Sequence, residues 1–199
     1  MTPLKDLLED LNACSDAKQW VGDMTIEEAV QKCHRGDWLL WLSQKIDIGL
    51  QPLTLAKGHC ANTVRHLMKD ERSTKAVDAA IAFGEGKITI EELHTYASAA
   101  SAYADAASAY ADADAARAAA DAAYAARAAS AYADAADASA YASSYAARAA
   151  AAYARADAYA SDAYASAKKE NQMMTADVCR KYIDKLIIDK VNEIIVKNK

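Results

Sequence analysis

Residues 101–130 read SAYADAASAYADADAARAAADAAYAARAAS, a stretch written entirely in Ala, Ser, Tyr, Asp and Arg. Alanine is the strongest helix former and loses no side-chain entropy on folding. With no Gly or Pro to interrupt it, the stretch predicts helix. Low-complexity disorder is the rival reading, but it calls for scarce aromatics and abundant Pro, Gly or Glu, and this run is studded with tyrosine. Tyr96, Tyr103 and Tyr110 recur at every seventh position, while Ser98, Ser101, Asp105, Ser108 and Asp112 alternate steps of three and four. At about 100° per residue the second set falls nearly opposite the first, which makes an amphipathic helix with a tyrosine ridge. After Asp112 the register changes, with Asp114, Arg117 and Asp121 as a new polar stripe continued by Tyr124, Arg127 and Ser130.

From His94 to Gln172 there is no large aliphatic residue and no Phe or Trp. An unbroken helix over 97–167 would be about 107 Å long, whereas a compact chain of this length has a radius of gyration of roughly 16 Å. The run is therefore expected to double back as antiparallel helices, turning at the Asp and Ser clusters 112–114, 134–139, 143–144 and 157–162. Each buried methyl contributes only about 0.8 kcal/mol, so tyrosine rings must supply much of the buried area.

Working outward, both prolines and all six glycines lie in the first 86 residues. That part predicts short amphipathic helices. Thr2 caps the first, with Pro3 at its first position and Leu4, Leu7, Leu8 and Leu11 at helical spacing. TIEE at 25–28 is a capping box whose helix carries Ala29, Val30 and Cys33 and stops near Gly36. Asp37 is expected to cap the next helix, in which Trp38, Leu39, Trp41, Leu42 and Ile46 form a broad apolar face ended by Gly49. Pro52 opens a helix with Leu53, Leu55, Ala56, Val64, Leu67 and Met68 as its apolar set. A further helix covers TKAVDAAIAF (74–83) and ends at Gly84–Gly86, and a second TIEE at 89–92 starts the long run. Beyond KKENQMM, Thr175 is expected to begin a last helix. Its face of Val178, Cys179, Tyr182, Ile183, Leu186, Ile187, Val191, Ile194 and Ile195 needs the N-terminal Trp and Leu helices as its partner. The fold expected is all-α, a compact multi-helix bundle in one domain: 1–86 built on Trp and Leu, 87–172 on Ala and Tyr, and 173–199 the C-terminal helix.

The balance of 23 basic against 28 acidic residues gives a net charge of −5, which argues against nucleic acid polymers and anionic membranes as partners. The N-terminus lacks a basic region followed by an apolar run, and no stretch is long and apolar enough to span a bilayer, so a cytoplasmic protein is expected. Cys14, Cys33, Cys60 and Cys179 form no CxxC pair and read as reduced, buried small hydrophobes. The pairs Cys33–His34 and His59–Cys60 make a poor zinc site, because neighbours on a helix diverge by about 100°. His59 and His66, seven residues apart, are about 10.5 Å apart along a helix, too far to grip one metal. No phosphate loop, HExxH or GxSxG is present, so neither catalysis nor a cofactor is expected. RGD at 35–37 reads as a helix junction. Trp20, Trp38 and Trp41 suit ligand stacking, but with Leu39, Leu40 and Leu42 around two of them core burial is the expected use. Candidate binding residues are Tyr103, Tyr110, Arg117, Tyr124, Arg127, Arg148 and Arg155, because Tyr and Arg carry interface energy on a rigid platform. The plainer use of most tyrosines is to fill gaps between alanine helices.

ACSDAKQWV (13–21), CHRGDWLLWLSQKI (33–46), STKAVDAAIAFGEGKITIEEL (73–93), the Ala/Tyr run and TADVCRKYI (175–183) stand in the order and style of a known pattern. It resembles an alanine-rich family of bacterial immunity proteins, the fifth numbered group associated with polymorphic toxin systems and found also in phage. The chain departs from that pattern at KGHCANTVRHLMKDERSTKA (57–76), where the family is longer and richer in proline. The resemblance implies a non-enzymatic helical protein that binds and neutralises a toxin or defence component, and it carries over no site residue. Two further readings stand beside it. In one, Tyr and Arg sequester a small nucleotide signal; in the other, heptad tyrosines mediate homo-oligomers.

Overall fold

The computed structural model describes residues 3–68, 70–109 and 161–197. Among them are eight α-helices and no strand: α1 Pro3–Asp10, α2 Ser15–Val21, α3 Ile26–Lys32, α4 Gly36–Lys45, α5 Leu50–Asn62, α6 Glu71–Gly84, α7 Ile90–Ala109 and α8 Ser161–Lys197. A single 3-10 turn, Arg65–Leu67, links α5 to the loop before α6. The all-α helical bundle is thus observed. The alanine run is helical over its first residues, as far as Ala109, and again from Ser161. The turns expected at 112–114, 134–139 and 143–144 lie outside the described residues, as do 157–160 of the turn expected at 157–162, whose Ser161 and Asp162 are instead the first residues of α8. Thr2 also lies outside the described residues.

Helix α8 is the mast of the bundle, packed by α1, α3, α4 and α5. Asn171, Thr175, Cys179, Ile183, Ile187 and Val191 follow one another at steps of four, and each is at most 1 % exposed. Four residues turn a helix by about 40° more than a full circle, so this ridge winds around the helix as it ascends. Its lower part accordingly meets α4 and α5, and its upper part meets α3. Asn171 donates to the Thr63 hydroxyl at 3.1 Å, and the Cys60 thiol contacts the Thr175 carbonyl. Arg180 reaches the carbonyls of Val30 and Cys33, and Asn192 donates to Glu27. These pairings run in opposite senses, so α3 and α5 lie antiparallel to α8. The expected partnership of the last helix with the Leu- and Trp-bearing N-terminal helices is observed in one continuous core.

A second pairing joins α5, α6 and α7. A Cβ at Gly84 would sit 2.6 Å from Leu55 Cα, and one at Gly58 would sit 3.2 Å from Ala80 Cβ. Both glycines therefore let the antiparallel α5 and α6 approach closely. Leu93 of α7, fully buried, closes this layer with Ala79, Ala80 and Phe83.

Several expected boundaries are corrected. The last helix does not begin at Thr175, which lies inside α8 and returns its hydroxyl to the Asn171 carbonyl at 2.9 Å. The polar KKENQMM stretch stays helical because it contains no breaker, and polarity alone does not end a helix. Gly36 does not end a helix but starts α4, and a Cβ there would fall 2.6 Å from the Thr175 carbonyl carbon. Asp37 is accordingly in the first turn of α4, with Arg35 at the cap position. Helix α5 ends at Asn62, so Val64, Leu67 and Met68 are not on it, and α6 starts earlier than expected, where Asp70 accepts from the Arg72 amide. Both capping boxes form as expected, Thr25 with Glu28 and Thr89 with Glu92.

Candidate functional site

Helices α1 to α4 and the links between them border a cavity of about 420 Å³. Leu4 and Leu8 of α1, Val30 of α3 and Leu39 of α4 form its apolar interior. Trp20 of α2 and Trp38 and Trp41 of α4 form its wall. These three rings are only partly buried, packed against the edge of the core. The expectation of plain core burial is thereby corrected: the Leu residues of α4 fill the core, and the Trp rings, too large to join them, border a void.

The wall is self-packed. Trp20 and Trp38 have ring centroids 5.9 Å apart at 57°, and His34 leans on both, at 6.0 and 6.3 Å. Mutual contact of this kind favours tilted and edge-on arrangements. It also leaves no slot in which another ring could be sandwiched between Trp20 and Trp38.

One end of the cavity is polar. Arg35 precedes α4 in extended backbone, and Asp37 stands in the first turn, where the helix dipole favours a carboxylate. Arg35 donates Nε–H to Asp37 Oδ1 at 2.8 Å, and its Nη2 also meets Oδ2. The guanidinium lies over the Trp38 ring, 4.7 Å from its centroid, a cation–π contact. The Asp37 hydrogen bonds raise the Arg35 pKa above its ordinary value against the opposing effect of burial. The RGD triplet is therefore a fork locked onto a tryptophan face rather than a capping device.

Two thiols border the same space. Cys14, expected to be buried, is exposed. Cys33 is buried and donates to the Arg35 carbonyl, and burial pushes its thiol up to about 11. A thiol held protonated at neutral pH is a poor nucleophile. Cys60 and Cys179 are also buried and free, and each donates to a backbone carbonyl of a neighbouring helix, Cys60 to Thr175 and Cys179 to Gly36. Among the described residues no cluster of three or more His, Cys, Asp or Glu side chains could hold a metal ion, and no described helix is long and apolar enough to cross a membrane.

Of the binding residues read from the sequence, Tyr103 lies on α7. Tyr110, Arg117, Tyr124, Arg127, Arg148 and Arg155 lie outside the described residues. The residues that the fold does bring together, Trp20, His34, Arg35 and Trp38, come from two helices and the link before α4. The signal in the sequence was the Arg-Gly-Asp-Trp block, but its meeting with Trp20 depends on how α2 returns past α3. No protein-family model matches the chain, and no curated protein or solved structure matches it either.

Proposed function

We propose that the chain is a non-enzymatic helical binding protein of the immunity or anti-defence kind, acting in the cytoplasm, which docks a toxin or defence component on the face formed by Trp20, His34, Arg35 and Trp38. The observation that carries this reading is the pre-ordered Arg35. Asp37 holds its guanidinium over the Trp38 ring, so little side-chain entropy remains to be lost when a partner arrives. Trp and Arg are the side chains that most often dominate protein interfaces. The resemblance of the 33–46 block to immunity proteins supports the same reading. A phosphate-bearing ligand suits this face poorly, because Asp37 already occupies the fork and repels a second anion.

Candidate toxins encoded beside the gene are co-expressed with the wild-type chain, Trp20→Ala or Arg35→Ala, with helical circular dichroism checked for each variant. Wild type is expected to restore growth against one of them, and the variants to lose at least tenfold of that protection. Failure of wild type against every neighbouring toxin, or full protection by both folded variants, overturns the reading.

A further inference from the structure

The cavity behind that face has a chemistry of its own. Leu4, Leu8, Val30 and Leu39 line it, yet they are 4 %, 5 %, 1 % and 4 % exposed. A groove shaped for a segment of another protein would leave such residues open. An occupant here has to slip between helices and must be slender. The volume of about 420 Å³ lies in the range of sites that enclose small organic molecules. Filled with solvent, it would hold on the order of a dozen waters at about 30 Å³ each, and each needs two to four polar partners. Leucine, valine and tryptophan side chains supply almost none, so replacing those waters with hydrocarbon is favourable.

The polar end selects the head group. Asp37 takes two of the five N–H groups of Arg35, and the remaining three have no other partner among the described residues. Guanidinium and carboxylate together are neutral. A carboxylate head would be repelled by Asp37 and an ammonium head by Arg35, whereas a hydroxyl or amide can accept from one and donate to the other. The tilted contact of Trp20 with Trp38 excludes a sandwiched base or ring, which leaves the rings as a wall for a hydrocarbon body.

We infer that the cavity binds a small uncharged amphiphile, a hydrocarbon body with a single hydroxyl or amide head, the body among Trp38, Trp41 and the leucines and the head on Arg35 and Asp37. This site shares Arg35 and Trp38 with the docking face, but binding of a small molecule to the purified chain needs no toxin, so the two proposals are tested separately.

The three tryptophans of the chain all border the cavity, so tryptophan fluorescence, excited at the red edge where the eleven tyrosines do not absorb, reports on it. The purified full chain is titrated with 1-decanol, decanoate and decyltrimethylammonium, each below its aggregation concentration. A saturable change with 1-decanol is expected, with the two ions at least tenfold weaker. Ala17→Phe, which fills the cavity, is expected to abolish the response. Asp37→Asn frees the guanidinium and is expected to improve decanoate binding at least tenfold relative to 1-decanol, a reversal that loss of packing would not produce. The inference is overturned by a non-saturable response to 1-decanol, by equal binding of the three probes to wild type, or by unchanged selectivity in Asp37→Asn. A fluorescence change that tracks protein concentration and dimer formation without any probe assigns the cavity to a second copy and overturns it as well.

Discussion

Gly36 shows how a single missing methyl sets the bundle. The carbonyl of Gly36 accepts from the Cys179 thiol, and a Cβ would lie 2.6 Å from the backbone of Thr175. Gly36→Ala must therefore push α4 off α8. A loss of about 1–3 kcal/mol or more is expected, the usual cost of overpacking, read as a lower urea midpoint, with Gly84→Ala behaving alike against Leu55. In the sequence these glycines read as punctuation, because a glycine that ends a helix and one that admits a neighbouring backbone look the same without the neighbour. Lys57 was equally invisible. It is 3 % exposed on α5, and burial lowers its pKa to about 8. Near neutral pH the folded chain carries an ammonium in a place that disfavours it. Lys57→Met keeps the length and removes the charge. It is expected to remove the gain in stability that the wild-type chain shows as pH rises through about 8, measured by chemical denaturation.

At the scale of elements, the starts of helices were legible where a local device makes them. The two Thr-Ile-Glu-Glu boxes specify their own hydrogen bonds, and both form. Helix ends supplied from elsewhere in the chain were not legible. Helix α3 stops at Lys32 with no glycine, and its last carbonyls at Val30 and its cap Cys33 are met by Arg180 of α8, itself held by Asp177. A cation at a helix C-terminus both satisfies orphan carbonyls and opposes the dipole. Arg180→Met is expected to cost about 1–2 kcal/mol and to raise amide exchange at the end of α3 before that of α5. Thr25→Ala at the other end is expected to cost about 1 kcal/mol. If Arg180→Met loosened α5 as much as α3, Arg180 would be a general packing residue rather than a cap. The start of α8 was missed for a related reason: the chain offered Thr175 as a cap, but the residues before it are helix formers with no reason to stop.

The whole molecule was legible as a class and only partly as an arrangement. Composition and period predicted an all-α bundle whose last helix packs on the Leu- and Trp-bearing helices. The cavity was not visible, because a void is set by the angles among α1 to α4, which no local pattern encodes. Assembly of the bundle also sets its response to pH. Where a group is held below its ordinary pKa, stability rises with pH, because the unfolded chain binds the extra proton. Asp78 beside Arg65 and Asp70 beside Arg72 act this way in acid. His59, desolvated and stacked on Tyr182 at 4.2 Å, loses its contribution as pH falls below about 6.5. Lys57 extends the rise upward from about pH 8, the point at which its folded form sheds a proton that the unfolded chain keeps. The cysteines act in the opposite sense. Cys33 and Cys179 are held above the ordinary value of 9.0 by burial and, for Cys179, first by its contact with Cys60. Above pH 9 the unfolded chain therefore loses two protons that the folded chain retains, which outweighs the one from Lys57 and turns the slope downward. Urea midpoints measured from pH 5 to 10.5 are expected to climb to a maximum near pH 9 and then fall. Lys57→Met is expected to flatten the climb above pH 8, and Cys179→Ala to soften the fall. A maximum near neutrality in wild type, unmoved by Lys57→Met, would show that Lys57 is solvated in the folded chain and that α5 does not bury it.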